Sequence, residues 1–70
     1  MSKKLSTIGK NIKEYRLKKG ISQDKLSKLA GMALYTITKI ESGATPDPRI
    51  ETVKKIANAL NVGVDDLLKG

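Results

Sequence analysis

The chain has 70 residues, 39% of them hydrophobic and nearly all of those aliphatic, with a formal net charge of +7. That length gives one small domain near the lower limit for a self-sufficient core, so the apolar share suffices only if helices pack economically. The absence of cysteine and histidine excludes thiol chemistry, disulfides, the usual zinc sites and histidine acid/base catalysis. No apolar run approaches the roughly 20 residues that span a bilayer. The start Met1-Ser2-Lys3-Lys4 leads into no hydrophobic region of signal-peptide length, and a cytoplasmic location is expected.

The charge is uneven. Residues 1–39 carry ten Lys/Arg against Glu14 and Asp24, a balance of +8. Residues 40–70 carry Arg49, Lys54, Lys55 and Lys69 against Glu41, Asp47, Glu51, Asp65 and Asp66, a balance of −1. A cationic half either docks phosphates and releases their counterions or keeps a surface solvated, and the motif it contains decides between the two.

Residues 1–6 read as a basic N-terminal arm. Ser6 or Thr7 then caps a first helix in which Ile8, Ile12 and Tyr15 fall at i, i+4 and i+7, and Gly20 after Lys18-Lys19 stops it. Ser22 is an N-cap for a second helix. Ile21 and Leu26 have the spacing of a hydrophobic staple, Asp24 meets the positive helix end, and Lys25 stands where a capping box would place Glu. Leu26, Leu29 and Ala30 form one face, and Gly31 can take the positive φ of a turn.

In the third helix Ile37 and Ile40 point inward, with Leu26, Leu29 and Met32 as partners. Tyr35, Thr38, Lys39 and Ser42 face outward, with Leu34 and Thr36 at the edges. Hydroxyls, an amine and exposed apolar groups suit base edges and thymine methyls; the alternative is that Leu34 and Tyr35 cover neighbouring loops. Residues 22–43 thus have the layout of a helix-turn-helix, and they lie in the basic half.

Asp47 and Pro48 read as N-cap and first residue of a fourth helix, whose inward stripe is Ile50, Val53, Ile56, Ala57 and Leu60. Asn61 is a left-handed end, with Val62 folding back. A short last helix has Gly63 as its cap, Asp65 and Asp66 in the first turn, and Val64, Leu67 and Leu68 as apolar residues. No segment alternates with period two long enough for a strand, so an all-α chain of five helices is expected. The carboxylates are scattered or act as caps, and no nucleophile sits near a base, so nothing points to an enzyme.

Ile12-Lys13-Glu14-Tyr15-Arg16, Lys19-Gly20-Ile21-Ser22-Gln23-Asp24-Lys25-Leu26, Ala30-Gly31-Met32, Ile37-Thr38-Lys39-Ile40-Glu41-Ser42-Gly43, the Pro48 to Ala57 run and the Leu60 to Leu68 run jointly resemble the DNA-binding domain of the phage repressor and Cro-like (XRE-type) helix-turn-helix family. The resemblance covers residues 7–68. It implies a compact five-helix bundle of the lambda-repressor-like type, with the helix-turn-helix formed by helices 2 and 3. It also implies double-stranded DNA as partner, transcription regulation and most often repression, without cofactor or metal.

Carried onto matching positions, Leu34, Tyr35, Thr36 and Lys39 would read bases, Gln23 would meet a phosphate or a flanking base, and Ser42 and Arg49 would lie near the backbone on the far side; Lys13 and Thr38 are further candidates for phosphate contact. Arg16 and Glu41 match a structural ion pair beneath the DNA-facing surface. The family's dimeric mode would set half-sites about 34 Å apart, with Leu67 and Leu68 either at the dimer interface or closing the core. Two features depart from the pattern. Ala33 stands where Ser or Thr usually caps the recognition helix, and Leu34 and Tyr35 replace the Gln, Ser or Arg often found there. Specificity would then rest on methyl contacts and DNA shape. Alternatively, the apolar patch and the last helix serve a protein-interaction module, antitoxin or coactivator-like, with weak or non-specific DNA binding.

Overall fold

Helix α1 (Thr7–Lys18) turns Ile8 and Ile12 to one side and buries both, with Tyr15 at the margin. In the computed structural model, which describes residues 7–69, it is followed by α2 (Gln23–Ala30), α3 (Leu34–Ser42), α4 (Ile50–Leu60) and α5 (Val64–Leu68). Among the described residues these five helices are the only regular elements, and no helix is long and apolar enough to cross a membrane. Residues 1–6, the basic arm, and the possible cap at Ser6 lie outside the described residues.

The core is aliphatic: Ile12, Leu26, Ile37, Ile56, Leu60 and Leu67 are wholly buried, and Ile40 and Val53 nearly so. Each contributes roughly 1.5–3 kcal/mol by leaving water. α1 packs on α3 and α5, and α2 packs on α3 and α4, so α3 is covered from behind by two helices.

The short helices have local stops. The Ser22 hydroxyl accepts from the Lys25 N–H at 3.0 Å, and Gly31 closes α2 at φ +68°, a conformation that costs glycine least. Asn61 ends α4 in the left-handed region at φ +63°, and Val62 returns to the core edge. α5 has only five residues and is tied at both ends. The Asp66 carboxylate accepts from the Gly63 N–H at 3.0 Å, and the Asn11 amide of α1 donates to the carbonyls of Leu67 and Lys69 at 2.9 and 2.8 Å.

Three sequence expectations fail, for identifiable reasons, and the open choice at Leu67 and Leu68 is decided. In α2 the buried arc is Leu26, Ala30 and Ser27, whereas Leu29 is 54% exposed. Ser27 is small and its hydroxyl donates to the Asp24 carbonyl at 2.7 Å, so it enters the core without an unsatisfied donor. Leu29, on the other flank, meets no neighbour that covers it. α4 begins at Ile50 with Arg49, not Asp47, in the N-cap position. The residue before each of Pro46 and Pro48 is held away from helix, and Arg49 itself remains extended at ψ 148°. Ile50 fits the apolar stripe but is 54% exposed, because periodicity sets a direction without supplying a neighbour. Finally, Leu67 is fully buried while Leu68 is 53% exposed, so Leu67 closes the core and is not free to meet a second subunit.

Candidate nucleic-acid interface

α3 has one buried side, Ile37 and Ile40, and one displayed side. Leu34 is 42% and Tyr35 68% exposed. The Lys39 ammonium lies 5.1 Å from the centre of the Tyr35 ring one turn earlier, a cation–π contact that gives the lysine a preferred direction. The hydroxyls of the outer face are turned back on their own helix. Thr38 donates to the Tyr35 carbonyl at 2.9 Å, and Ser42 donates to the Lys39 carbonyl at 3.1 Å while accepting from the Ala44 N–H. Ala33 gives the helix start no side-chain cap.

The residues singled out from the sequence gather in two recesses that share α3. Tyr35, Thr36, Lys39 and Arg49 line a cleft of about 260 Å³ between α3 and the approach to α4. Its floor is the buried Ile40, and Thr45, Pro48 and Thr52 form the rest of the wall. Lys13, Gln23, Thr38 and Ser42, with Arg16 and Glu41, line the other, of about 380 Å³, where α1, α2 and α3 meet. Leu34 belongs to neither.

Beneath the second recess lies a shielded ion pair. Arg16 Nε donates to Glu41 Oε2 at 2.7 Å and Nη2 to Oε1 at 3.0 Å, the side chains being 9% and 4% exposed. The third guanidinium contact is to the Ile21 carbonyl at 2.9 Å, which anchors the α1–α2 turn. Gln23 Nε2 also donates to Glu41 Oε1, at 2.9 Å. Hydrogen bonding to Glu41 raises the Arg16 pKa above its ordinary value, with the Coulomb attraction helping and burial opposing. A raised value means that this contribution is complete below the ordinary guanidinium range and is lost only as the pH rises beyond it, so Arg16 is charged at neutral pH.

Sequence reasoning missed the contact that seats α3. A Cβ added to Gly9 of α1 would overlap the Ile40 carbonyl oxygen and crowd Glu41 Cα at 3.1 Å, so the two backbones touch there. A glycine inside a helix costs about 1 kcal/mol against alanine. Gly9 stands directly after Ile8 on the buried side, away from any turn, and that unexplained cost was the available signal.

The arrangement has close counterparts. A helix-turn-helix family model (HTH_3) matches residues 12–67. The chain belongs to the XRE-type helix-turn-helix family. Among members of that family, it is 38% identical over 61 residues to the HTH-type transcriptional regulator SinR of Bacillus subtilis, a stretch covering 87% of this chain and 55% of SinR. It is 36% identical over 56 residues to an HTH-type transcriptional regulator of Archaeoglobus fulgidus, covering 80% of this chain and 79% of that one. The N-terminal DNA-binding domain of Bacillus subtilis SinR superposes with a TM-score of 0.88 at 35% identity, over 93% of this chain and 94% of the domain. The restriction-modification controller protein C.AhdI of Aeromonas hydrophila gives 0.85 at 28% identity, over 90% and 94%. The chain spans about half the length of SinR.

Proposed function

We propose that this chain binds double-stranded DNA by laying α3 in the major groove, as the DNA-reading part of a transcriptional regulator that acts in the cytoplasm on nucleoid DNA, most often as a repressor. The observation that carries this reading is the displayed face of α3. It holds Tyr35 and Lys39 in a fixed pair, and it is flanked by recesses carrying Arg49 on one side and Lys13 on the other. A purely solvated face would have no reason to expose Leu34 and Tyr35 beside cations.

In this reading the Lys39 ammonium donates to a guanine edge, while Leu34, Tyr35 and Thr36 make apolar contact with thymine methyls and base edges. Lys13 and Arg49 neutralise phosphates on either side, and Gln23, Thr38 and Ser42 add neutral hydrogen bonds, the two hydroxyls by rotating away from their own helix. Two copies pair through the exposed Leu68 and set recognition helices about one DNA turn, ~34 Å, apart.

Selection from a random duplex pool at two salt concentrations tests the reading. Enrichment of a palindromic, thymine- and guanine-containing motif at the higher salt is the expected result, with enrichment abolished in Lys39→Glu. Retention only at low salt, with no enriched sequence, would refute sequence reading and favour a protein partner at Leu34 and Tyr35.

A further inference from the structure

Gln23 opens α2, half-buried beside the Arg16–Glu41 pair. A carboxylate only accepts hydrogen bonds, so the atom facing Glu41 Oε1 across 2.9 Å is the amide nitrogen and not its oxygen. One contact therefore fixes the orientation of the whole carboxamide. It uses one N–H, and the second N–H and the carbonyl oxygen have no partner among the described residues. Glu41 is itself immobilised: Arg16 grips both of its oxygens and is anchored in turn on the Ile21 carbonyl, in the turn that leads into α2. Arg16 of α1, Glu41 of α3 and Gln23 of α2 thus form one hydrogen-bonded chain across three helices, at the base of the recess that Lys13, Thr38 and Ser42 share.

We infer that Glu41, held by Arg16, is a positioning residue for Gln23 and presents its second amide N–H to a phosphate oxygen of the DNA backbone, an inference that rests on the DNA-binding reading above. Two physical arguments support it. Freezing a glutamine side chain is among the larger side-chain entropy losses, and meeting that loss in the free protein removes it from association. A carboxylate this close to an approaching phosphate would also repel it. Here its charge is answered by Arg16, and one of its lone pairs is covered by Gln23.

The test is a double-mutant cycle on affinity for a random-sequence duplex at fixed salt, with wild type, Gln23→Ala, Glu41→Asp and the double variant. Aspartate keeps the charge but is one methylene too short to hold both Arg16 and Gln23. Gln23→Ala should weaken binding about tenfold, the lower end for one hydrogen bond to a charged group. Glu41→Asp should weaken it comparably in the wild-type background and by little in the Gln23→Ala background. An equal loss in both backgrounds would overturn the proposal while leaving DNA binding intact. Failure of the wild type to bind any duplex would overturn the DNA-binding reading, and this proposal with it. A second readout is the exchange of the Gln23 side-chain amide protons with water, measured by NMR on the DNA-free wild type. Slowed exchange is expected, and exchange as fast as in an exposed glutamine refutes the positioning even if Glu41→Asp does not fold.

Discussion

Helices α2 and α3 are neighbours of eight and nine residues, yet they are held by different means. α2 carries its own devices: the Ser22 cap, a left-handed Gly31 whose N–H reaches Lys28 and Ser27 carbonyls, and an exposed Asp24–Lys28 pair at 3.0 Å. α3 has no side-chain cap and no acid in its first turn. It is fastened from behind, by the Gly9 approach, the Arg16–Glu41 pair and the burial of Ile37 and Ile40. In the DNA-binding reading proposed above, the start and outer face of α3 are left to the ligand rather than spent on the helix's own stability, and the scaffold supplies that stability from the other side.

The contrast can be broken at its strongest point first. Glu41→Ala strands a shielded guanidinium and should lower the stability by roughly 3 kcal/mol, read from the denaturant midpoint. Because the Arg16 pKa is raised, that difference should not change between about pH 7 and 9. An unchanged midpoint would mean that the pair does not hold α3. Gly9→Ala comes next, at about 2 kcal/mol of net destabilisation, because overpacking against a backbone carbonyl outweighs the ~1 kcal/mol that alanine gains in helix propensity. A variant more stable than wild type would show that α1 and α3 do not touch.

The two caps give the smallest and most direct comparison. Ser22→Ala should cost about 1 kcal/mol, a fall of roughly 4–8 °C in Tm for a domain of this size. Ala33→Ser, at an exposed position whose backbone (φ −70°, ψ 145°) already suits a cap, should raise stability by about 0.5–1 kcal/mol. If thermal melts show no gain from Ala33→Ser, the start of α3 is limited by something other than its missing hydroxyl.

Much of the fold was legible because it is local. The helix count, the caps at Ser22 and Gly31, the left-handed Asn61, and the stripes of Ile8 with Ile12 and of Val53, Ile56, Ala57 and Leu60 all follow from spacings of four residues or fewer. Misreadings cluster where a helix face ends. Leu29 and Ile50 carry apolar side chains at plausible positions and are exposed, while Ser27 is buried because its own helix satisfies its hydroxyl. In the candidate site, residue identity suggested Tyr35 and Lys39, but not that they stack on one another. Nor did it suggest that Gln23 and Arg16 converge on a single carboxylate.

The sequence by itself determined most helix ends, though not the start of α4, and the centre of each inward stripe, though not its margins at Leu29 and Ile50, since capping hydrogen bonds and the 3.6-residue period act within a turn or two of chain. Only the tertiary structure decided which marginal leucine is covered, Leu67 and not Leu68. It alone brought Gln23, from 18 residues away, onto the Arg16–Glu41 pair that the family resemblance had implied. Such contacts depend on how close two backbones come, and in this chain that distance is set at Gly9, the residue with no side chain.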